Sequence, residues 1–108
     1  MPIEVTARHM HTSADLQDYA RRKAEEILEA LPIIEHIRVI LDLEKHGNGQ
    51  IAEVVLQVKH HGNMEAAAST DNLRASVDMA FDKIEKQVRK LHDKDQSHKS
   101  AMKRGRQP

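Results

Sequence analysis

The sequence predicts an α+β fold in which a four-stranded sheet carries two helices on one face, in the order β-α-β-β-β-α. Apolar and polar residues alternate in four stretches, as in half-buried strands. Two longer stretches repeat apolar residues at helical spacing. The connections between the last three strands are short, and an antiparallel meander is the simplest pairing for them. With 108 residues, the chain is expected to form one domain.

The first strand and the first helix follow each other directly. Alternation at the start of the chain places apolar residues at Ile3, Val5 and Ala7. The helix is predicted within residues 11–32, because apolar residues there recur every three or four positions. Thr12 or Ser13 can cap its N-terminus, and Pro32 marks its end.

Three further strands are predicted between the helices. One has its apolar face at Ile37, Val39, Leu41 and Leu43, with Ile40 interrupting the alternation. The next has its apolar face at Ala52, Val54, Leu56 and Val58. The turn sequences HGNGQ at 46–50 and HGN at 61–63 follow these two strands. A weaker strand then contains Met64, Ala66 and Ala68.

The second helix is predicted from Thr70–Asn72 to about Lys94. Its apolar stripe consists of Leu73, Val77, Phe81, Ile84, Val88 and Leu91. Residues 95–108 have no periodicity and little to bury, which predicts a flexible basic tail. The chain therefore divides into a folded domain, residues 1–94, and the tail.

Composition excludes several classes of protein. There is no cysteine, so disulfides and thiol chemistry are excluded, which fits a reducing compartment such as the cytoplasm. Tyr19 and Phe81 are the only aromatic residues, and the core must be aliphatic. The polar N-terminus predicts no signal peptide, and no apolar run reaches the roughly 18 residues of a membrane span.

Charge is distributed unevenly along a chain that is neutral overall. Residues 83–108 contain nine Lys and Arg against three Asp and Glu, a net charge of +6, which leaves −6 on the remainder. On the second helix, Lys83, Lys86, Lys90 and Lys94 form one stripe beside the apolar seam, while Asp78, Asp82 and Glu85 are predicted on a different side. Because like charges repel, this Lys stripe predicts a polyanionic partner such as a phosphate backbone. A solvated basic helix end is the simpler alternative.

Metal binding and catalysis have little support. The eight histidines match no zinc-site spacing, and we expect no metal site and no cofactor. Ser13, His9 and Asp15 can be combined as a catalytic group only on paper, because Ser13 is better explained as a helix cap. We therefore expect no enzymatic activity.

Two segments resemble one protein family. NLRASVDMAFDKIEKQVRKLHDK at 72–94 resembles the second helix of the short ribosome hibernation-promoting factors, also known as ribosome-associated translation inhibitors or sigma-factor modulation proteins. That helix reads approximately D-L-Y-A-S-I-D-x-A-x-D-K-L-x-x-Q-L-x-K. IEVTARHMHTSADLQDYARRKAEEIL at 3–28 resembles the first strand and helix of the family. Asn72 and Arg74 stand where the motif has Asp and Tyr, and Glu26 stands near a position where the first helix often has Lys.

The resemblance implies a fold similar to the double-stranded RNA-binding domain. It also implies binding to the small ribosomal subunit, in the channel for messenger and transfer RNA, with translation inhibited by occlusion during slow growth or stress. The implied contacts to ribosomal RNA are Lys83, Lys86, Lys90 and Lys94, followed by Arg89, Arg22, Lys23, Arg8 and Arg74. Ribosomal proteins are further candidate partners. The chain resembles the short form, without a C-terminal dimerisation domain, and we expect a cytoplasmic protein that is monomeric when free and has no membrane partner.

Two other functions remain open from the residues. The Lys stripe could bind RNA in general, without preference for ribosomes. It could also meet an acidic protein surface, as in a regulator of transcription. Salt dependence and co-sedimentation with ribosomes separate these alternatives, because phosphate contacts weaken steeply as salt rises.

Overall fold

The computed structural model describes the backbone of residues 2–104 and the side chains of residues 2–91. The elements are β1 (Ile3–Ala7), α1 (Ala14–Ala30), β2 (Ile34–Leu43), β3 (Gln50–Val58), β4 (Gly62–Thr70) and α2 (Leu73–Arg104). The α+β class and the order of the elements are thereby confirmed. Neither helix, over the part of the chain described, has an apolar stretch long enough to cross a membrane.

The strands lie in the order β1-β2-β3-β4. β2, β3 and β4 form the predicted antiparallel meander. β1 pairs in parallel with β2, with Ile3 opposite Ile37 and Val5 opposite Val39. A parallel pair needs a crossover connection, and α1 supplies it. α1 consequently packs over β1 and β2, while α2 packs over β3 and β4.

One face of the sheet forms the core. The strand side chains on that face with no more than 2% exposure are Ile37, Val39, Leu41, Ala52, Val54, Leu56 and Val58. The helices cover them with Ala20, Ala24 and Ile27 from α1 and with Val77, Ala80, Phe81, Ile84 and Val88 from α2. Leu91 is only partly buried. The opposite face carries no helix and is called the open face below.

Leu43 ends the predicted apolar face of β2 but is not part of the core. This side chain is 41% exposed, because β1 pairs with β2 only as far as Leu41 and the end of β2 extends past it. Ile40, which interrupts the alternation, lies on the open face but is only 6% exposed. It sits in the middle of the sheet between Thr6 and Glu53, and these flanking strands shield it.

Side-chain caps fix where both helices begin. The Ser13 hydroxyl accepts a hydrogen bond from the Leu16 amide at 3.1 Å, so Ser13 rather than Thr12 caps α1. The Asn72 side chain accepts from the Ala75 amide at 3.0 Å at the start of α2. Ser76, the one buried polar residue in the described part of the core, donates to the Gln50 carbonyl at 2.6 Å and ties α2 to β3.

α2 extends ten residues beyond its predicted end near Lys94, to Arg104. The prediction relied on the end of the apolar stripe, but a helix does not end there unless a residue interrupts it. No Pro or Gly occurs in residues 95–104, and Gly105 is the first. Residues 105–108 lie outside the described part. The division into a domain and a flexible tail stays a prediction.

α2 also covers the outer edge of β4. Lys83 Nζ donates to the Ala67 carbonyl at 3.0 Å, and Gln87 Nε2 lies 3.5 Å from the Glu65 carbonyl. An uncovered edge strand offers unpaired backbone groups to other chains. The two side chains therefore occupy backbone carbonyls of the nine-residue edge strand β4 that another chain could otherwise bind.

We expect Phe81→Ala to lower the free energy of unfolding by about 3–5 kcal/mol, because Phe81 is 3% exposed and its removal leaves a cavity. Met79→Ala is the matched control on the same helix, since Met79 is 46% exposed. It should change the free energy of unfolding by no more than about 0.5 kcal/mol. Urea denaturation measures both, and equal effects would mean that the buried face of α2 is misassigned.

Candidate nucleic-acid interface

The outer surface of α2 carries the exposed part of the Lys stripe. Lys86 and Lys90 are exposed, while the side chain of Lys94 lies outside the described residues. The predicted separation of the Lys stripe from the acidic residues is wrong at Asp82, because its Oδ2 lies 3.4 Å from Lys86 Nζ. Residues four apart are neighbours on a helix, which brings the two together. Both side chains are at least 70% exposed, so the pair is weak and Lys86 can exchange it for a phosphate.

Lys83 differs from the other lysines of the stripe. Its amine is held at the β4 edge by the Ala67 carbonyl, although the residue remains exposed. That contact uses one of three N–H donors, so two remain. Lys83 therefore combines a structural contact with its predicted role.

Arg89 faces the other side of α2. Its Nε donates to Glu85 Oε2 at 2.8 Å, an ion pair between residues four apart on the helix. The groove next to it, between α1 and α2, has a volume of about 260 Å³. Its charged lining residues are Lys23 and Arg89 against Glu26, Asp78, Asp82 and Glu85. With two cations and four acids, this groove does not suit a phosphate, and Arg89 is better explained as a structural partner of Glu85.

Three predicted cations meet around Tyr19, in the contact between α1 and α2. The Tyr19 hydroxyl donates to Asp78 Oδ1, and Lys23 Nζ lies 3.6 Å from the same oxygen. The Arg74 guanidinium carbon lies 4.1 Å from the centre of the Tyr19 ring. Arg22 is exposed and lines a concavity together with Tyr19 and Arg74. The hydrogen bond to Asp78, followed by burial, raises the pKa of Tyr19.

Arg8 lies apart from the Lys stripe, at the end of the sheet where α2 begins. It is exposed, and its backbone amide donates to the Leu41 carbonyl at 2.8 Å. Next to it, His9 has a φ of +59° and donates from Nδ1 to Asp42 Oδ1 at 2.9 Å.

The cations of the helices fall into two areas. Along α2, Lys90 is about 24 Å from Arg74, so the Lys stripe and the cations around Tyr19 are separate.

Sequence reasoning missed the role of Tyr19. A single half-buried Tyr beside a helix stripe looks like part of the core, and the sequence gives no sign that Asp78 is its partner.

Among the described residues, no group of three or more His, Asp or Glu lies close enough together to hold a metal ion.

A protein-family model matches most of the chain. The model of the Sigma 54 modulation protein / S30EA ribosomal protein family matches residues 3–96. The chain belongs to this family. The resemblance in the sequence is thereby confirmed, and the match includes both helices of the S30EA domain up to residue 96.

Two relatives are similar over most of their length. A ribosome hibernation promoting factor from Pseudomonas putida is 28% identical over 97 residues, which are 90% of this chain and 92% of the relative. A ribosome hibernation promoting factor from Klebsiella oxytoca is 26% identical over 98 residues, which are 91% of this chain and the whole of the relative.

Two solved structures have the same fold. A ribosomal subunit interface protein from Coxiella burnetii superposes with a TM-score of 0.75 at 22% identity, covering 86% of this chain and 99% of that one. The N-terminal domain of Protein Y from Thermus thermophilus gives a TM-score of 0.70 at 24% identity, covering 84% and 99%. At these identities the likeness supports the fold alone.

We expect Asp42→Asn to reduce stability at neutral pH but not in acid. The hydrogen bond from His9, then that from the Leu43 amide, lowers the pKa of Asp42 from its ordinary value of 3.8. A lowered pKa stabilises the folded state above the ordinary value, and this stabilisation is lost as the pH falls through the folded value. Melting temperatures from about pH 7 down to about pH 2 should therefore converge below pH 3.8.

Glu25→Gln is the control for this prediction, because Glu25 is an exposed carboxylate on α1. Its melting temperature should follow that of the unmodified chain throughout. A difference between Asp42→Asn and the unmodified chain that stays constant with pH would contradict the prediction.

Proposed function

We propose that this chain is a ribosome hibernation factor that binds the small ribosomal subunit in the channel for messenger and transfer RNA. There it would inhibit translation by occlusion during slow growth or stress. Membership of the S30EA family supports a ribosome-associated role in the cytoplasm. The names of the relatives from Pseudomonas putida and Klebsiella oxytoca support hibernation as its purpose. The observation that carries the proposal is the exposed part of the Lys stripe, Lys83, Lys86 and Lys90, on α2 of a family member.

The distribution of charge supports binding through the helices rather than through the sheet. Register places Glu4, Glu53 and Glu65 on the open face, with Arg38 as the cation among them. Arg38 already has an acidic partner there, since its Nε lies 3.7 Å from Glu4 Oε1, and His36 Nε2 lies 3.7 Å from the other oxygen of the same carboxylate. A phosphate backbone would be repelled by the open face and attracted by α2.

The contacts of α2 would be to phosphate and sugar rather than to bases. Lys is a flexible point charge that neutralises phosphate without reading a base edge on its own. The deep, narrow major groove of an RNA helix also keeps side chains away from its bases. Binding of this kind recognises the shape of the ribosomal RNA. Occlusion requires neither a chemical step nor a cofactor, and a single copy of the chain suffices for it.

Replacing Lys86 and Lys90 by Glu should cut ribosome binding strongly and leave the fold intact, because both side chains are exposed. Lys45→Glu with Lys59→Glu is the matched control, since these exposed lysines lie outside the helices and the change in charge is the same. Co-sedimentation with 30S subunits, 50S subunits and whole ribosomes in sucrose gradients measures binding. The unmodified chain should follow the 30S subunit.

Three outcomes would count against the proposal. Equal loss of binding in both double variants would show that only net charge matters. Equal binding to 30S subunits, 50S subunits and unrelated duplex RNA would indicate a general RNA-binding protein. Binding that does not weaken with rising salt would indicate a protein partner, as for a regulator of transcription.

Truncation after Lys94 should weaken ribosome binding and flatten its salt dependence without abolishing it. Residues 95–108 carry Lys99, Lys103, Arg104 and Arg106, so their removal deletes four possible phosphate contacts. Fixing these long side chains against phosphate costs conformational entropy, which opposes part of their contribution. The melting temperature should stay close to that of the full chain. Complete loss of binding would place the main site in residues 95–108, and unchanged affinity would mean that these residues take no part.

A further inference from the structure

Each helix contributes two residues, four positions apart, to a cluster in the contact between α1 and α2. Tyr19 and Lys23 come from α1, and Arg74 and Asp78 come from α2. The Asp78 carboxylate receives the Tyr19 hydroxyl and lies 3.6 Å from Lys23 Nζ. One acid on α2 thus holds two side chains of α1 in place.

The stacking of Arg74 on Tyr19 leaves its hydrogen-bond donors available. The guanidinium carbon lies 4.1 Å from the centre of the ring, a cation–π contact that favours this position of the side chain. The five N–H donors of a guanidinium lie in its plane, and none of the hydrogen bonds among the described residues uses those of Arg74. Arg74 is therefore held in one orientation while it can still donate to an anion. Less conformational entropy would be lost when the anion binds.

One concavity beside the ring is lined by more cations than acids. We call the concavity lined by Tyr19, Arg22, Lys23, Glu26 and Arg74 the Tyr19 notch; its volume is about 150 Å³. Three cations face one acid there, in contrast to the acidic groove beside Arg89. A cavity of about this size accommodates a benzene-sized molecule, so a phosphate group fits.

We propose that the Tyr19 notch binds one phosphate group of the RNA partner, with Arg74 as the principal donor and with Tyr19 and Asp78 as positioning residues. The proposal rests on the proposed function and adds a second contact about 24 Å along α2 from Lys90. Arg74 replaces the Tyr of the family motif, so the contact is a property of this chain rather than of the family pattern.

Three variants of the full chain test the proposal by ribosome co-sedimentation at several salt concentrations. Arg74→Ala should weaken binding about tenfold and reduce the salt slope by about one phosphate contact. Tyr19→Leu, which removes the ring, should reproduce both effects, and the double variant should be no weaker than Arg74→Ala alone, because both changes remove the same contact. Tyr19→Phe keeps the ring and should retain most of the binding.

Lys59→Ala is the matched control for loss of one exposed cation. It should leave both affinity and salt slope unchanged. Thermal melting separates positioning from folding: Arg74 is exposed, so Arg74→Ala should melt like the unmodified chain. If Tyr19→Leu fails to fold, Arg74→Ala alone still decides, since its salt slope does not depend on the stability of the other variant.

A spectroscopic measurement tests the geometry in the free protein. Tyr19 is the only tyrosine and there is no tryptophan, so tyrosinate absorbance during alkaline titration reports this residue alone. Asp78→Ala removes the acceptor of the Tyr19 hydroxyl, and the titration midpoint should move down towards the ordinary value of 10.0. An unchanged midpoint would overturn the positioning role of Asp78.

The outcomes distinguish this inference from the proposed function. If the unmodified chain does not sediment with ribosomes, the proposed function and the Tyr19 notch both fall. If it sediments through Lys86 and Lys90 but Arg74→Ala leaves affinity and salt slope unchanged, the notch alone is overturned. Independent, additive losses for Tyr19→Leu and Arg74→Ala would overturn the positioning role of Tyr19.

Discussion

The packing of α2 on the core face of the sheet is the contact on which the rest of the structure depends. The chain has two aromatic residues, and its core is built almost entirely from aliphatic side chains. Phe81 and the buried aliphatics around it on α2 provide much of that core, and each such side chain contributes about 1.5–3 kcal/mol on full burial. In a domain of this size, that packing is a large part of the total stability.

The same packing fixes the rotation of α2, and rotation decides what each charged residue does. At about 100° per residue, one side of the buried seam meets the β4 edge, where Lys83 and Gln87 donate to backbone carbonyls. The other side faces α1: there Asp78 pairs with Lys23 of α1, and Arg89 pairs with Glu85 of α2 itself. Lys86 and Lys90 lie between these two sides and face solvent. The charged residues of α2 are therefore divided among three environments.

The acidic groove between the helices separates two cationic areas, the outer surface of α2 and the Tyr19 notch. Their separation along α2 is longer than one side chain can span. A partner that contacts both must therefore be extended, as a ribosomal RNA surface is, and the acidic open face leaves the helix side as the favourable direction of approach. The fold thus gives a neutral chain a polarity that its net charge does not reveal.

The sequence by itself determined the elements, their order and most of the core, because strand alternation, helical spacing and capping are local properties. Ile37, Val54 and Phe81 are buried and Ser13 caps α1, as their immediate neighbours in sequence predict. It was insufficient where local patterns end. It did not predict that Leu43, beyond the last pair with β1, is exposed. It ended α2 near Lys94, shortly after the apolar stripe stops, although the helix continues to Arg104.

Only the tertiary structure decided how the candidate site is assembled. Tyr19 and Asp78 are 59 residues apart, and Lys83 reaches a carbonyl on a different element. The periodicity of one segment cannot predict such a pairing. The pairing depends on which parts of α1 and α2 are in contact and on which strand lies at the edge of the sheet.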